Sequence, residues 1–232
     1  MVNTTIGVIM NNFDHIIRQM DIVPLDVLQK PITIIGAGAV GSYTALQLAK
    51  MGFTNLSIYD FDEVSIENMS CQNFGMHQLG MNKAKAICET ITLWTGSRAT
   101  GHDTKWMGQP LKGLVISAAD SMATRRKVFE YCAANDLFMI DSRMGAEQIM
   151  LYSIQPKYDT WYERTLYTDA DAVQLPCTGK ATAYCANVIA GLVVKSAVYR
   201  LKDVETAHTV LYDIKNDSFE AFRSKASGQS VA

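Results

Sequence analysis

Six residues in the first part of the chain, Gly36-Ala-Gly-Ala-Val-Gly41, have the spacing of a phosphate-binding glycine turn. In such a turn the first glycine permits the tight bend, the second lets a phosphate approach the backbone, and the third lets the next helix pack closely. Asp60, about 20 residues further on, could accept hydrogen bonds from ribose hydroxyls. These residues predict a nucleotide site, with close packing alone as the alternative explanation of the glycines.

Further polar residues follow at spacings that a dinucleotide site does not require. The segment Asp60-Phe-Asp62 leads to Asn68, Lys83 lies three residues after a glycine, and Asp120 follows the apolar run 114–117. The combination of a glycine turn, D-x-D-x-V-x-x-x-N, G-x-x-K and a strand-end aspartate resembles the ThiF/MoeB/HesA-type adenylyltransferases of the ubiquitin-activating enzyme superfamily. The resemblance covers residues 32–154 and is weaker on both flanks.

That resemblance implies a Rossmann-like fold that binds ATP and Mg²⁺. It also implies activation of the C-terminal carboxylate of a small protein, ubiquitin-like or sulfur-carrier, or of a peptide. The product would be an acyl-adenylate, formed with release of pyrophosphate. Such a reaction depends mainly on positioning and charge neutralisation. The alternative is an NAD(P)-dependent oxidoreductase, which would share only the glycine turn and Asp60.

The resemblance assigns roles to individual residues. Asp60 would bind the ribose, while Asn68 and Lys83 would contact the triphosphate. Asp120 would hold Mg²⁺ or orient the phosphates, since carboxylate and phosphate oxygens suit this ion. Outside the motif, Lys83 would be interpreted as a solvated helix lysine and Asp120 as a helix N-cap. The predicted nucleotide-binding set is Gly36, Gly38, Ala39, Gly41, Asp60, Asp62, Asn68, Cys71, Lys83, Asp120 and Ser121, and the predicted catalytic set is Asp120, Lys83, Arg18 and Cys177.

Cys71 is a departure from the family pattern, which usually has an arginine at this position. A thiol cannot make the charged, bidentate phosphate contact of an arginine. Arg18 resembles the N-terminal arginine of the family, which reaches the ATP of the partner subunit in a dimer. The resemblance therefore implies a homodimer in which Arg18 carries more of this role. Equally, Cys71 could mark weak adenylation or a non-catalytic partner subunit.

Cys177 lies in Leu175-Pro-Cys-Thr178, which resembles the Cys-Thr element that forms a thioester in ubiquitin-activating enzymes. A helix beginning just after it would lower the pKa of its thiol. The alternative is a small buried side chain, the commonest state of a free cysteine. Cys88, Cys132 and Cys185 fall within predicted helices and are expected in the core. No Cys-x-x-Cys pair is present, so we expect no zinc site.

The elements that would position these residues alternate along the chain. This alternation predicts a mostly parallel α/β sheet flanked by helices, with an antiparallel C-terminal extension. Trp94 should face the core, and the basic run Arg125-Arg-Lys127 should be solvated. Strands are predicted at 32–35, 56–60, 98–105, 114–117, 137–140, 148–155, 208–214 and 218–222, helices at 39–50, 83–94, 121–135 and 180–201, and a long loop at 156–178.

Length and composition are consistent with one domain in an ordinary intracellular protein. The 232 residues carry a net charge of −2, which argues against a nucleic-acid partner. The N-terminus lacks the features of a signal peptide, and no segment is long enough to span a membrane, so a cytoplasmic location is expected. The predicted parts of the domain are an N-terminal helical segment at 1–30, a nucleotide-binding part at 31–145, a crossover-loop and dimerisation part at 146–224, and a flexible tail at 225–232.

Overall fold

A computed structural model of the protein describes residues 14–168 and 181–223. Its centre is an eight-stranded sheet with the order β3-β2-β1-β4-β5-β6-β7-β8. The first five strands in this order are parallel and the last three pair antiparallel, as predicted. The strands are β1 Ile32–Ile35, β2 Leu56–Asp60, β3 Thr100–Asp103, β4 Leu114–Ser117, β5 Met139–Gly145, β6 Gln148–Ile154, β7 Thr209–Asp213 and β8 Ser218–Phe222.

Helices cover both faces of the sheet, so the central strands are apolar on both sides. Ile32 and Ile34 of β1 pack with one set of helices, whereas Ile35 belongs to the core on the other face. The first face is covered by α2, α3 and α5, and the second by α4 and the 3-10 helix Thr160–Thr165. The helices are α1 Leu25–Leu28, α2 Ala39–Lys50, α3 Lys83–Thr95, α4 Met122–Ala134 and α5 Ala183–Leu201.

Side-chain caps determine where the main helices begin. The Asn82 side chain accepts a hydrogen bond from the Lys85 amide at 3.1 Å, which confirms the predicted start of α3. Ser121, and not Asp120, caps α4 through a 3.3 Å bond from the Thr124 amide, so the alternative interpretation of Asp120 as the N-cap is wrong. Thr182 caps α5, which therefore begins later than the predicted residue 180.

Two predicted strands have different limits in the structure. The strand predicted at 137–140 begins only at Met139, because the Leu137 amide still donates to the Cys132 carbonyl at the end of α4. It continues to Gly145, because it pairs with β6 along its whole length in an antiparallel hairpin. The strand predicted at 98–105 is shortened to β3, Thr100–Asp103. The sheet continues on both sides of residue 145. The division at this residue into a nucleotide-binding part and a crossover-loop and dimerisation part stays a prediction.

Trp94 does not face the core and is 59% exposed, so that prediction is wrong. It lies in the last turn of α3, close to the residue at which α2 ends. The Nζ of that residue, Lys50, lies 4.6 Å from the centre of the Trp94 ring. A cation–ring contact at the surface therefore replaces the expected apolar packing.

Within the described ranges, no helix has the length and apolar character needed to cross a membrane.

Substitution of Gly41, the third glycine of the turn, tests how closely α2 packs against the turn. A Cβ at Gly41 would lie 1.9 Å from the Gly36 carbonyl oxygen, whereas a Cβ at Gly191 in α5 would meet nothing closer than 3.9 Å. We expect Gly41→Ala to lower the free energy of unfolding by about 1–3 kcal/mol, because backbone must move. Gly191→Ala, the control, should raise it by about 0.5–1 kcal/mol. Urea denaturation followed by circular dichroism measures both, and equal stability of the two variants would contradict this packing.

Candidate functional site

A cavity of about 270 Å³ opens at the carboxyl ends of β1, β2 and β4. These strands surround the point where the chain leaves β1 for β2 on one side and later adds β4 on the other. Open α/β sheets bind ligands at such a switch point because the loops on its two sides diverge and leave a crevice. The glycine turn, Asp60, Lys83 and Asp120 all contribute to the walls. The topology therefore brings together residues from four separate parts of the sequence.

The glycine turn is held in place by Asp60 at the end of β2. One carboxylate oxygen of Asp60 accepts a 2.6 Å hydrogen bond from the Ala37 amide, and the other accepts a 2.8 Å bond from the Asp62 amide. Burial raises the pKa of the Asp60 carboxyl, although these two hydrogen bonds act in the opposite direction. Asp60 therefore anchors the turn as well as lining the cavity.

The first two glycines of the turn meet different demands. Gly36 has a φ of +98°, and a Cβ there would lie 2.6 Å from the Ala118 carbonyl oxygen, so only glycine fits. Gly38 faces open space, since a Cβ there would meet no atom within 4 Å. Gly38 and Ala39 line the cavity at the start of α2, where free amides and the helix dipole favour an anion. This arrangement fits a phosphate group.

Lys83 is one of the basic residues that line the cavity. The lysine is only 8% exposed, and its Nζ lies 3.3 Å from an Asp62 carboxylate oxygen. Its own amide donates to the Asp62 carbonyl at 2.8 Å, which fixes the start of α3 beside the cavity. The interpretation of Lys83 as a solvated helix lysine is therefore wrong. Asp62 is half-exposed, so water weakens its ion pair with Lys83. The Lys83 ammonium group can therefore also interact with an anion.

Asp120 and Ser121 lie on a third wall, just beyond the end of β4. Asp120 is exposed to the cavity. Across the described part of the chain, no three His, Cys, Asp or Glu side chains converge to hold a metal ion. The exposed carboxylate of Asp120 could contribute to a Mg²⁺ shell that phosphate oxygens and water would complete.

Four of the predicted residues do not line this cavity in the described part of the chain. Gly41 packs against Gly36, and the Asn68 side chain accepts a 3.3 Å hydrogen bond from the Ser65 amide within a short 3-10 turn. Cys71 is half-buried and Arg18 is exposed on an N-terminal 3-10 helix. Cys177, which was predicted to lie in the long loop, is outside the described residues.

Gln72, which follows Cys71, lines the cavity although the sequence did not predict it as a site residue. Its side-chain oxygen is buried and has no hydrogen-bond partner among the residues that the structure describes. A buried, unpaired polar atom at a cavity wall is a group that a ligand could satisfy. The signal in the sequence was its place in Gln72-Asn-Phe74, which follows Asn68 in the stretch that resembles the family, but no role was predicted for it.

A buried ion network was also missed, and it corrects the prediction for the basic run. Arg125 is 5% exposed and forms an ion pair with Asp141, so this arginine is not solvated. The other Asp141 oxygen accepts hydrogen bonds from Arg143 and from the Tyr162 hydroxyl, both at 2.7 Å. Arg143 in turn donates to the Thr165 carbonyl at 2.8 Å. The network joins α4, β5 and the 3-10 helix Thr160–Thr165, and sequence spacing gives no sign of it.

Comparison with known sequences places this site in a family. A profile of the ThiF family matches residues 25–231. Ubiquitin-like modifier-activating enzyme 5 of Drosophila virilis is 26% identical over 240 residues, covering 88% of this chain and 58% of that protein. SUMO-activating enzyme subunit 2 of Dictyostelium discoideum is 30% identical over 140 residues, covering 56% of this chain and 21% of that protein. The chain thus spans little more than half of the first curated relative and about a fifth of the second.

Solved structures share the fold. PaaA superposes with a TM-score of 0.74 at 14% identity, covering 96% of this chain and 77% of PaaA. E. coli MccB with ATP superposes with a TM-score of 0.69 at 14% identity, covering 87% of this chain and 66% of MccB. These structural matches agree with the family profile, which extends over most of the sequence. The chain therefore belongs to the ThiF family.

Proposed function

We propose that this protein uses ATP to adenylate the C-terminal carboxylate of a small protein or peptide. The observation that carries this proposal is the cavity in which the glycine turn, Lys83 and Asp120 converge at the switch point of the sheet. Membership of the ThiF family and the relatives named as ubiquitin-like modifier-activating enzymes support it. MccB, which shares the fold, has been solved with ATP and, in another structure, with MccA.

In this reaction a carboxylate oxygen attacks the α-phosphorus and pyrophosphate leaves. The chain contributes the amides at the start of α2, which donate to phosphate oxygens. Lys83 offsets the negative charge of the phosphates, and Asp60 holds the turn while facing the ribose. Asp120 would hold Mg²⁺, which would neutralise phosphate charge when bound. Preorganised charge of this kind lowers the barrier because no dipoles must reorient during the reaction.

The alternative functions explain less of the site. An NAD(P)-dependent oxidoreductase would use the glycine turn and Asp60, but it leaves a buried Lys83 facing the cavity without a role. A non-catalytic partner subunit is supported by Cys71, where the family usually has arginine. The exchange assay below separates that possibility from an active enzyme.

We also propose that the protein is a homodimer in which Arg18 reaches the partner's nucleotide. Arg18 is exposed, and it lies away from the cavity of its own subunit. Its neighbours include Ile17 and Ile22, which are 67% and 61% exposed. Apolar side chains so close to an arginine suit a two-fold contact, which would bury them and place Arg18 across the interface.

Nucleotide selectivity tests the function directly. ATP with Mg²⁺ should raise the melting temperature of the wild-type protein, because a ligand that binds only the folded state stabilises it. NAD should not. With a peptide or small-protein substrate present, the protein should exchange radiolabelled pyrophosphate into ATP. Stabilisation by NAD alone would instead favour the oxidoreductase, and ATP binding without exchange would favour the non-catalytic subunit.

Two lysines on α3 supply a matched pair of variants for the same assays. Lys83→Gln should weaken ATP binding by about 10- to 100-fold, because a charge-assisted contact to phosphate is lost. Lys85→Gln should change it less than about twofold, because Lys85 pairs with Asp103 at the surface. Asp120→Asn should abolish pyrophosphate exchange, with Asp103→Asn as its control. Native exchange by the Asp120 variant would contradict its assigned role.

We further propose that Cys177 accepts the acyl group from the adenylate. The thiolate sulfur would attack the acyl carbon, a thioester would form, and AMP would leave with the bonding electron pair. The half-buried Cys88 and the buried Cys132 and Cys185 are unsuited to this step. Burial raises the pKa of the Cys88 thiol to about 11, that of Cys132 to about 12 and that of Cys185 to about 11. Their thiolates are therefore scarce at neutral pH.

Alkylation of the folded protein tests this difference between the cysteines. With iodoacetamide at about pH 8, Cys132 should react about two orders of magnitude more slowly than an ordinary thiol, since its pKa is raised. Cys177 should react at least as fast as an ordinary thiol. Peptide mass spectrometry gives both rates, and the urea-unfolded chain, in which all cysteines should react alike, is the control.

The acyl transfer itself needs a substrate and ATP. We expect a thiol-sensitive adduct on Cys177, and Cys177→Ser should convert it to a thiol-resistant ester or remove it. Cys88→Ser is a matched control that should leave the adduct in place. Full turnover by Cys177→Ala would show that the acyl group passes directly from the adenylate to its acceptor.

A further inference from the structure

The two arginines of the buried network are bonded very differently. Arg143 donates four hydrogen bonds, to Asp141, to the Tyr162 hydroxyl, and to the carbonyl and hydroxyl of Thr165. The Arg125 side chain makes one hydrogen bond to the described residues, from Nη1 to Asp141. Its Nε is buried and has no acceptor among them. A guanidinium carries five N–H donors, so Arg125 retains most of its hydrogen-bonding capacity.

The charges of the network do not balance. Asp141 is fully buried, and the side chains of Arg125 and Arg143 are 7% and 9% exposed. Two cations therefore share one anion in a site of low solvent access. Asp120 lies on the same cavity wall, yet it forms no ion pair with Arg125 in the part of the chain that the structure describes. A buried excess of positive charge is unfavourable unless an anion enters to compensate it.

Arg125 lines the nucleotide cavity, on the wall that also carries Asp120 and Thr124. We propose that Arg125 binds an oxyanion in this cavity and that Asp141 is the positioning residue that holds its guanidinium there. Arginine suits the task because its planar fork matches two oxygens of a carboxylate or phosphate. The inference rests on the proposed function, since it deepens the description of the same site.

The structure also explains why Arg125 would be held rigidly. Asp141 cannot move toward a ligand, because three donors from Arg125, Arg143 and Tyr162 occupy its two oxygens. An arginine tied at one nitrogen loses little further rotamer freedom when it binds an anion. Preorganisation of this kind increases affinity by lowering the entropy cost of binding.

Two oxyanions enter this cavity in the proposed reaction, the nucleotide phosphates and the terminal carboxylate of the acyl substrate. Both present negatively charged oxygens that can accept hydrogen bonds from a guanidinium. The two anions also repel each other as they approach. Lys83 and the amides of the glycine turn already face the phosphates. The additional positive charge of Arg125 in the cavity lining would let the two anions lie close together.

Calorimetric titration of Arg125→Lys identifies the anion, with Arg126→Lys as the matched control. Arg126 is the next residue and donates to the Leu166 carbonyl at 3.0 Å, outside the cavity lining. The probes are ATP with Mg²⁺, inorganic pyrophosphate, adenosine, and N-acetyl-glycylglycine or its amide in the presence of AMP. Circular dichroism establishes that each variant is folded.

If Arg125 binds a phosphate, Arg125→Lys should weaken ATP and pyrophosphate binding by about 10- to 100-fold. The affinity for adenosine should be unchanged. For a carboxylate, the variant should bind ATP normally and lose the preference for the acid over its amide. Affinities within twofold of wild type for every anion would overturn the inference. Wild-type protein that binds no ATP would refute the proposed function, while Arg125-dependent pyrophosphate binding would still support this inference. Wild-type protein that binds none of the anions would refute both.

A measurement on wild-type protein covers the case in which Arg125→Lys does not fold. The Nε–H resonance of Arg125 should shift in nitrogen-edited NMR spectra when pyrophosphate or the acetylated dipeptide is added. This proton has no acceptor among the described residues, so a new hydrogen bond should move it strongly. An unchanged resonance under saturating amounts of both probes would overturn the inference.

Discussion

The carboxylate of Asp60 is the contact on which the candidate site depends. It ends β2 and accepts hydrogen bonds from the amides of Ala37 and Asp62, so one side chain joins the glycine turn to the loop after β2. The Asp62 backbone then receives the Lys83 amide, which places the start of α3. Three walls of the cavity are thereby linked through one buried group. Loss of this carboxylate would leave two backbone donors unpaired near the cavity.

Asp141 plays a corresponding part in the buried ion network, which reaches the same cavity through Arg125. It belongs to β5, yet its partners come from α4, from its own strand and from the 3-10 helix Thr160–Thr165. Replacing a whole buried ion pair with apolar residues often costs little stability, but the pair itself requires a strict geometry. The network therefore serves to orient groups, with Arg125 at the cavity and Arg143 holding the segment that leads toward residue 168.

Local sequence predicted much of the fold, and the exceptions have clear causes. β1, α2 and β4 have the predicted limits, because apolar runs and a glycine turn act over a few residues. β5 was displaced because its extent depends on pairing with β6. Trp94 was misplaced because helical spacing specifies a face of α3 but not where the neighbouring helix ends.

The sequence by itself determined the family, the glycine turn and the candidate carboxylates at the strand ends, because these follow from motifs of fixed local spacing. Only the tertiary structure decided that Gln72 and Arg125 line the cavity while Asn68 and Cys71 do not. Only the tertiary structure likewise decided that Arg125 of α4 pairs with Asp141 of β5. Charges that meet across elements leave no periodic pattern along the chain. Their burial depends on how the helices pack on the sheet.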